Sequence, residues 1–251
     1  MAIPDTLAAR IIEHVKTHDL SGHLLMLGRQ RWLGGRRGPA KRMFENALKK
    51  YLPDLSEEDF ANPADEYSET FFSRIGFETV DSLDMSDFEQ ASIIADLGGE
   101  IPEELHDRFD VIYDGGTCEH VFDLPTAYRN IDKMLKTGGV LIGHSPCNNW
   151  INHGFYQICP EMVYGFWQRS LGYEVLACNL QPLHPRFARQ STTTSNPLLT
   201  GKRPRLRGPL PNSRIIIDYA VRKTVPSEEK ASVFQTDYSV RWSAAAEPAA
   251  G

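Results

Sequence analysis

The sequence predicts a single α/β domain built around a mostly parallel, doubly wound sheet. The main observation is a strand, helix, strand unit within residues 109–142. Residues 110–113 form a short apolar, β-branched run, and residues 140–142 form a second one. Between them, apolar residues recur every three or four positions over 123–136, which indicates an amphipathic helix. Two strands joined by a helix in this way are parallel, and the crossover is right-handed.

Length and composition fit one domain without a basic surface. The chain has 251 residues, 41% of them hydrophobic, which is enough for one sizeable core. A net charge of −6 and a pI near 5.8 give no general attraction for nucleic acid or an anionic membrane, so neither partner is expected. No apolar stretch approaches the ~18 residues of a membrane span, and the N-terminus is unlike a signal peptide. The four cysteines lack zinc-like spacing, which favours a cytoplasmic protein and predicts no metal site.

The other elements follow from the same patterns of apolar residues and breakers. Seven strands are predicted in all, and the five outside the central unit are 23–27, 78–84, 92–95, 173–178 and 214–222. Further helices are predicted from Asp5 or Thr6 to an exit at 18–22, and over 39–52, 66–75 and 160–170. We expect one domain over residues 1–242, with an inserted loop at 53–65, and a flexible tail over 243–251.

Three stretches of the central unit carry a family resemblance. Phe109-Asp110, Glu119-His120-Val121 and the run from Leu135 to Gly139 have the spacing found around the fourth and fifth strands of class I S-adenosylmethionine-dependent methyltransferases, which the chain therefore resembles. The segment 152–161 is similar to one in subfamilies that act on sugars and secondary metabolites. The resemblance implies a Rossmann-like sheet of seven strands with helices on both faces. The sheet is mostly parallel, and its antiparallel last strand forms a hairpin with the sixth. The implied cofactor is S-adenosylmethionine.

The first strand ends at Gly28, where the family usually has a Gly-x-Gly-like turn beside the cofactor. Here the turn reads Gly28-Arg29-Gln30-Arg31, and a second glycine cluster at 34–38 matches neither G-x-G-x-x-G nor the P-loop pattern. Nucleotide hydrolysis is rejected on that basis. Two interpretations stay open: an unusual cofactor loop with Gly28 as its essential glycine, or a flexible loop before the next helix.

Acidic residues follow the second and third strands. Asp84 stands where Rossmann-like proteins place an acid for the ribose hydroxyls; the competitor is Asp81, and the plain alternative is a turn aspartate. The resemblance implies that Asp96 accepts the adenine amino hydrogen, while the next backbone amide, that of Leu97, meets a ring nitrogen. The predicted cofactor site is completed by the two residues at the end of the fourth strand, Asp114 and Gly115.

Two histidines are candidate catalytic residues. His153 is the leading candidate for a general base, because it follows the fifth strand at the carboxyl edge of the sheet and imidazole titrates near neutrality. The competing interpretation is a histidine that fixes the turn at 152–154. His120 is the second candidate, although the matching family position is more often architectural. Tyr156 and Gln157 are predicted to hydrogen-bond the acceptor, unless the aromatic pair at 155–156 simply packs.

Residues 181–213 contain many prolines, six cations and no acid, which indicates either a mobile lid or a disordered insert. The sixth strand should run parallel to the first five, so this segment is expected at the ligand edge of the sheet. Its cations, among them Arg203 and Arg205, are predicted to bind the acceptor. They favour an acceptor with negative charge, such as a phosphorylated or nucleotide-linked sugar.

Together these observations predict an enzyme that moves a methyl group to a hydroxyl or amine of a small molecule or glycan. The alternative is a non-catalytic binding or scaffold protein that retains the fold, because the usual glycines are missing after the first strand. A nicotinamide-dependent oxidoreductase would share the sheet, but no G-x-G-x-x-G is present. The sequence leaves open the identity of the acceptor and whether the chain forms a homodimer.

Overall fold

Ten β-strands form two sheets in the computed structural model, which describes residues 2–35, 38–60, 64, 66–203, 210–226 and 233–246. In chain order they are β1 (Ala2–Ile3), β2 (Gly22–Leu27), β3 (Arg31–Trp32), β4 (Phe77–Asp84), β5 (Ile93–Ile94), β6 (Phe109–Asp114), β7 (Leu135–Asn148), β8 (Glu174–Pro182), β9 (Thr192–Thr193) and β10 (Ile215–Arg222). β1 and β3 form a small parallel pair, and the other eight strands form the main sheet.

The main sheet has the order β5-β4-β2-β6-β7-β10-β8-β9. The strands from β5 to β7 in this order are parallel, and β10 runs antiparallel to both of its neighbours, β7 and β8. The predicted fold class is confirmed: the sheet is mostly parallel, and the last of the seven predicted strands is antiparallel and paired with the sixth. A short edge strand, β9, which the sequence patterns did not indicate, pairs antiparallel with β8.

Helices cover both faces of this sheet. The α-helices are α1 (Asp5–Thr17), α2 (Pro39–Tyr51), α3 (Glu69–Ile75), α4 (Leu124–Met134), α5 (Pro197–Thr200) and α6 (Thr236–Ala246), and a π-helix spans Met162–Ser170. α1, α2 and α3 share a core with Leu24 and Met26 of β2, whereas α4 and the π-helix share one with Leu25 and Leu27. This alternation is expected for a strand that is buried on both faces. Within the described ranges, no helix is both long and apolar enough to cross a membrane.

Element boundaries differ from the predicted ones where strand pairing overrides local signals. The helix predicted over 123–136 ends at Met134, and β7 begins at the next residue. Leu135 pairs with Phe109 of β6, so residues that were expected to end a helix already belong to the sheet. At the other end of the chain, α6 enters the region 243–251 for which a tail was predicted, and residues 247–251 lie outside the described part.

The crossover from β2 to β4 contains an insertion that is larger than the loop predicted at 53–65. The chain leaves the sheet edge after Gln30 and returns at Ser68, whose backbone N–H donates to the Gln30 carbonyl (3.0 Å). The Ser68 hydroxyl donates to the same carbonyl (2.9 Å). The insertion that carries β3 and α2 therefore leaves the sheet edge and returns to it at one point, and α3 follows Gln30 in space as the crossover helix.

A buried charge cluster ties α1 to the sheet. Oδ1 of Asp218 in β10 is hydrogen-bonded to ring nitrogens of His14 (2.7 Å) and His144 (2.9 Å), and its Oδ2 accepts from the Nε of Arg10 (2.7 Å). Burial alone would raise the pKa of Asp218, but the facing histidines hold it well below its ordinary value. Both oxygens of this carboxylate have partners, so the cluster is a structural anchor.

Candidate functional site

The loops after β2, β4 and β6 meet at one point on the carboxyl edge of the main sheet. Gly28 follows β2 with φ +67°, and its N–H donates to the Leu83 carbonyl of β4 (2.7 Å). A Cβ atom at Gly28 would lie 2.9 Å from the Thr117 Oγ1 and 4.0 Å from the Asp84 Oδ2. The positive φ and this close approach of three loops both require glycine here.

The two residues after Gly28, where a further glycine was expected, have fixed partners. The Nε of Arg29 donates to Oε1 of Glu69 at the start of α3 (2.6 Å), and its guanidinium lies 3.9 Å from the centre of the Tyr67 ring. Gln30 is fully buried, and its Nε2 donates to the Leu27 carbonyl (3.1 Å). These contacts favour the interpretation of a defined loop over that of a flexible one.

Asp84 and Asp81, the competing candidates for the ribose, lie in different surroundings. Oδ1 of Asp84 accepts the backbone N–H of Met85 (2.7 Å), and its Oδ2 is the atom beside Gly28. Asp81 lies within β4, where its carboxylate is hydrogen-bonded to His23 Nε2 (2.8 Å) and to the Ser92 hydroxyl (2.9 Å). The geometry therefore favours Asp84 as the carboxylate that faces the meeting point of the loops.

The loop after β5 has a defined turn. Asp96 is exposed, and its Oδ1 accepts the backbone N–H of Gly98 (2.8 Å), whereas Leu97 is buried. Asn130 of α4 donates through Nδ2 to the carbonyls of Leu97 (2.9 Å) and Gly99 (2.7 Å). The loop that carries Asp96 and Leu97 is thus held in place by a side chain from another element.

Asp114 is fully buried at the end of β6. Its Oδ1 accepts backbone N–H groups, the shortest from Thr117 (2.8 Å), whereas its Oδ2 has no hydrogen-bond partner among the described residues. A Cβ atom at Gly115 would lie 3.0 Å from the Oε1 of Gln30. This oxygen is a second buried acceptor that has no hydrogen-bond partner among the described residues. Two unsatisfied acceptors at one edge suit a cationic donor such as an ammonium group.

Glu119 is fully buried in the 3₁₀ turn Cys118–His120 that follows β6. Its backbone carbonyl accepts N–H groups of Phe155 (2.8 Å) and Tyr156 (3.3 Å), which joins this turn to the loop after β7. Burial and, after it, the nearby Asp114 carboxylate raise the pKa of Glu119 to about 8. At a pKa of about 8, this side chain holds a proton at neutral pH.

The two predicted catalytic histidines face this carboxyl group from separate loops. The Nε2 atoms of His153 and His120 lie 3.5 Å and 3.9 Å from Oε1 of Glu119, and the two ring centres are 5.0 Å apart. Burial and, to a smaller extent, the electrostatic effect of the nearby His120 lower the pKa of His153, so its ring is neutral at pH 7 and keeps a free lone pair. The backbone N–H of His153 donates to the Trp150 carbonyl (3.2 Å) and closes the turn before it. The turn is therefore held by the backbone and not by the imidazole of His153.

Tyr156 and Gln157, the predicted acceptor-binding pair, line a cavity of about 770 Å³ beside α4 and the π-helix. The Tyr156 hydroxyl donates to the Phe122 carbonyl (2.7 Å). The charged residues in the cavity wall are Arg129 and Glu161, and most of the wall is formed by apolar and aromatic side chains, among them Tyr128, Met162, Phe166, Val233 and Phe234. The cavity therefore suits the apolar body of a small molecule.

The basic segment 181–213 begins and ends at the carboxyl edge, as expected from the strand directions. Ile215 pairs with Pro182 on one side and with Asn148 on the other. Arg203 has an acidic partner from outside the segment, because its Nε donates to Oδ2 of Asp237 in α6 (3.0 Å). Arg205 lies outside the described residues, so the contact of these cations with an anionic acceptor stays a prediction.

Sequence reasoning missed Gln30, Glu119 and Asn130. Glu119 had a usable signal, since it precedes His120 in the motif that carried the resemblance. Gln30 and Asn130 had none, because their importance depends on the loops they contact and not on a local pattern.

The comparisons with known proteins are distant. No family model matches the chain, and no curated protein sequence matches it. Similar solved structures include the 1,6-didemethyltoxoflavin-N1-methyltransferase of Burkholderia thailandensis, solved with 1,6-didemethyltoxoflavin and S-adenosylhomocysteine. It is 11% identical, the match covers 88% of this chain and 80% of that one, and the TM-score is 0.46.

Two further solved structures are the N-methyltransferase NodS of Bradyrhizobium japonicum and a 16S rRNA (adenine(1408)-N(1))-methyltransferase of Catenulisporales acidiphilia. NodS is 12% identical, with 86% of this chain and 93% of that one covered and a TM-score of 0.40. The rRNA enzyme is 12% identical, with 87% and 94% covered and a TM-score of 0.37. All three are methyltransferases, the class that the sequence resembles, but at these TM-scores the likeness carries no weight for the function of the chain.

Proposed function

We propose that this chain is an S-adenosylmethionine-dependent methyltransferase that moves a methyl group to a hydroxyl, or an amine, of a small molecule or glycan. The observation that carries the proposal is the strand order. Counted along the seven predicted strands, the sheet reads 3-2-1-4-5-7-6, with antiparallel β10 between β7 and β8. A dinucleotide-binding Rossmann sheet has the order 3-2-1-4-5-6 and lacks this inserted strand. The order therefore favours the fold that the family resemblance implies over that of a nicotinamide-dependent enzyme.

The residues at the carboxyl edge fit S-adenosylmethionine, which when bound supplies a methyl group on a positively charged sulfur. Oδ2 of Asp84 would accept hydrogen bonds from the ribose hydroxyls, and the loop that carries Asp96 and Leu97 would hold the adenine. The unsatisfied oxygens of Gln30 and Asp114 offer acceptors for the ammonium group of the methionine part. Each of these roles uses an atom that has no competing hydrogen-bond partner in the described part of the chain, or a loop that is already held in place.

The acceptor would bind on the other side of Gly115, between the loops after β6 and β7. Alignment of the acceptor with the methyl group supplies much of the rate of such a displacement. The neutral imidazole of His153 offers a lone pair beside the acceptor, as a general base needs. The cavity lined by Tyr156 and Gln157 adjoins this point and would hold the apolar body of the acceptor. We also infer a cytoplasmic location, because the four cysteines are free thiols.

The test is a calorimetric titration of the chain with S-adenosylmethionine and S-adenosylhomocysteine, with NAD⁺ as the control ligand. We expect both sulfur compounds to bind and NAD⁺ not to bind. Transfer of a labelled methyl group to a panel of hydroxylated metabolites would then identify the acceptor. Absence of binding for both sulfur compounds would refute the proposal and favour the scaffold alternative, and binding of NAD⁺ would favour the oxidoreductase.

A further inference from the structure

A buried carboxyl group without a hydrogen-bond partner lies at the edge where the acceptor is proposed to bind. The side chain of Glu119 is 1% exposed, and neither of its oxygens has a hydrogen-bond partner within the ranges that the structure describes. An isolated buried carboxylate is strongly unfavourable, so proteins place a proton, an ion pair or a metal ion beside it. The surroundings of Glu119 decide between these.

Two imidazoles approach this carboxyl group at distances that suit a shared cation better than direct hydrogen bonds. Oε1 of Glu119 lies 3.5 Å from Nε2 of His153 and 3.9 Å from Nε2 of His120, and the three groups can bring one ligand atom each within 4.8 Å of one another. These separations exceed the roughly 2.7–3.2 Å of good hydrogen bonds to nitrogen. Ligands bound to zinc at about 2.0–2.1 Å in tetrahedral geometry are about 3.4 Å apart, close to the 3.5 Å between Glu119 Oε1 and His153 Nε2.

We propose that Glu119, His120 and His153 bind one zinc ion, with a fourth position open to the acceptor. Two imidazoles and one carboxylate are a ligand set that zinc takes in catalytic sites, where the fourth ligand is water or substrate. The open position follows from exposure, since the His120 and His153 side chains are 42% and 34% exposed whereas Glu119 is buried. The proposal departs from the expectation of no metal site, which rested on cysteine spacing alone.

The loops that carry these ligands are already joined to each other. The Glu119 carbonyl accepts two backbone N–H groups from the loop after β7. A Cβ atom at Gly154 would lie 2.8 Å from that carbonyl and 3.2 Å from Nδ1 of His120, so only glycine lets the loop close here. His153 is therefore brought to Glu119 by backbone contacts, and the loops that carry the three ligands are already in place.

The other group of two histidines and one acid in the described part of the chain differs in each respect. Its acid, Asp218, accepts hydrogen bonds from both imidazoles at 2.7 Å and 2.9 Å and from Arg10. All of its members except Arg10 are fully enclosed, and the guanidinium already supplies a cation. It has neither an unsatisfied oxygen nor an open side, and we assign no ion to it.

The role of the zinc ion rests on the proposed function. A divalent cation lowers the pKa of an oxygen bound to it, so an acceptor hydroxyl in the open position loses its proton to solvent more easily. The acceptor oxygen then takes the methyl group, and the carbon–sulfur bond breaks with its electron pair left on sulfur. With zinc bound, the lone pair of His153 would be used by the metal. The zinc ion, and not the imidazole, would then activate the acceptor hydroxyl. The substrate class is accordingly a small molecule with a hydroxyl acceptor.

The test is zinc binding by the chain after removal of metal with EDTA, measured by competition with a chromophoric chelator. We expect one zinc ion per chain, and a Co²⁺ derivative with the intense visible absorption of a four- or five-coordinate site. Glu119→Gln and His120→Ala should each weaken zinc binding more than about 100-fold, because loss of an outer-shell partner alone costs about 10- to 100-fold. The matched control is His106→Ala, an exposed histidine at the opposite edge of the sheet, which should bind zinc like the wild type.

Several outcomes would overturn the proposal. They are the absence of stoichiometric zinc, wild-type zinc affinity in both ligand variants, and methyl transfer that is insensitive to chelator but lost in His153→Ala, which would return His153 to the role of general base. Should Glu119→Gln fail to fold by circular dichroism, His120→Ala decides, because that side chain is 42% exposed and its loss leaves no cavity in the core. Titration of the metal-free protein with S-adenosylhomocysteine separates the two proposals. If S-adenosylhomocysteine binds but zinc does not, the proposed function stands and the metal site is refuted. If zinc binds but S-adenosylhomocysteine does not, only the metal site stands.

Discussion

Replacing Asp84 by alanine should weaken cofactor binding without unfolding the chain. Its Oδ1 is occupied by the Met85 backbone N–H (2.7 Å), and its Oδ2 lies 4.0 Å from the position of a Cβ atom at Gly28, at the meeting point of three loops. One carboxylate oxygen is therefore available to the ribose hydroxyls. A hydrogen bond to a charged group contributes about 1.5–3 kcal/mol, which corresponds to a rise in Kd of about 10- to 150-fold.

The assay is calorimetric titration with S-adenosylhomocysteine, and the matched control is Asp81→Ala. Asp81 belongs to the same strand, but its carboxylate is used by His23 and Ser92, so its loss should lower stability and leave Kd unchanged. Asp84→Asn keeps a neutral acceptor and should fall between the wild type and Asp84→Ala. Unchanged affinity in a folded Asp84→Ala, or an equal loss of affinity in Asp81→Ala, would refute the assignment of Asp84 to the ribose.

Two further substitutions test the site loop and the core. Gly28→Ala should lower both thermal stability and S-adenosylhomocysteine affinity, because its φ is +67° and a Cβ atom would lie 2.9 Å from Thr117 Oγ1. In Gly138→Ala, where φ is +89° but no atom lies within 4 Å, calorimetry should find normal affinity, and a comparable loss there would argue against a specific role for Gly28. Asp218→Asn should lower the free energy of unfolding in urea by about 3–5 kcal/mol, because Arg10 loses its buried counter-charge and the hydrogen bonds to His14 and His144 are disrupted. The pKa of Asp218 lies well below its ordinary value in the folded protein. The wild type therefore keeps the stabilisation by the Asp218 carboxylate at pH values above the ordinary aspartate pKa, and loses it as pH falls through the lowered pKa. Glu45→Gln, at an exposed pair with Lys41, should cost under about 1 kcal/mol, and a loss for Asp218→Asn as small as that would contradict the anchor role.

Most of the sheet could be predicted from the sequence, because a buried strand shows its burial locally. The strands that were predicted to end at Gly28, Asp84 and Asp114 end at those points or one residue earlier. The direction of β10 came from the family resemblance and not from its own residues, since an apolar strand carries no mark of its direction. The short edge strand β9 had no signal, because two exposed threonines do not form a periodic pattern.

The sequence by itself therefore determined which segments are strands and helices, and which residues follow strand ends at the carboxyl edge. Only the tertiary structure decided what those residues meet. His153 lies against a carboxyl group from another loop, and Gln30 reaches the neighbourhood of Gly115 because the insertion after it closes on itself at Ser68. Likewise, the residues after Met134 became strand and not helix through pairing with β6. The physical reason is the same in each case: periodicity records burial along one element, whereas a binding site and a strand register depend on contacts between residues far apart in the chain.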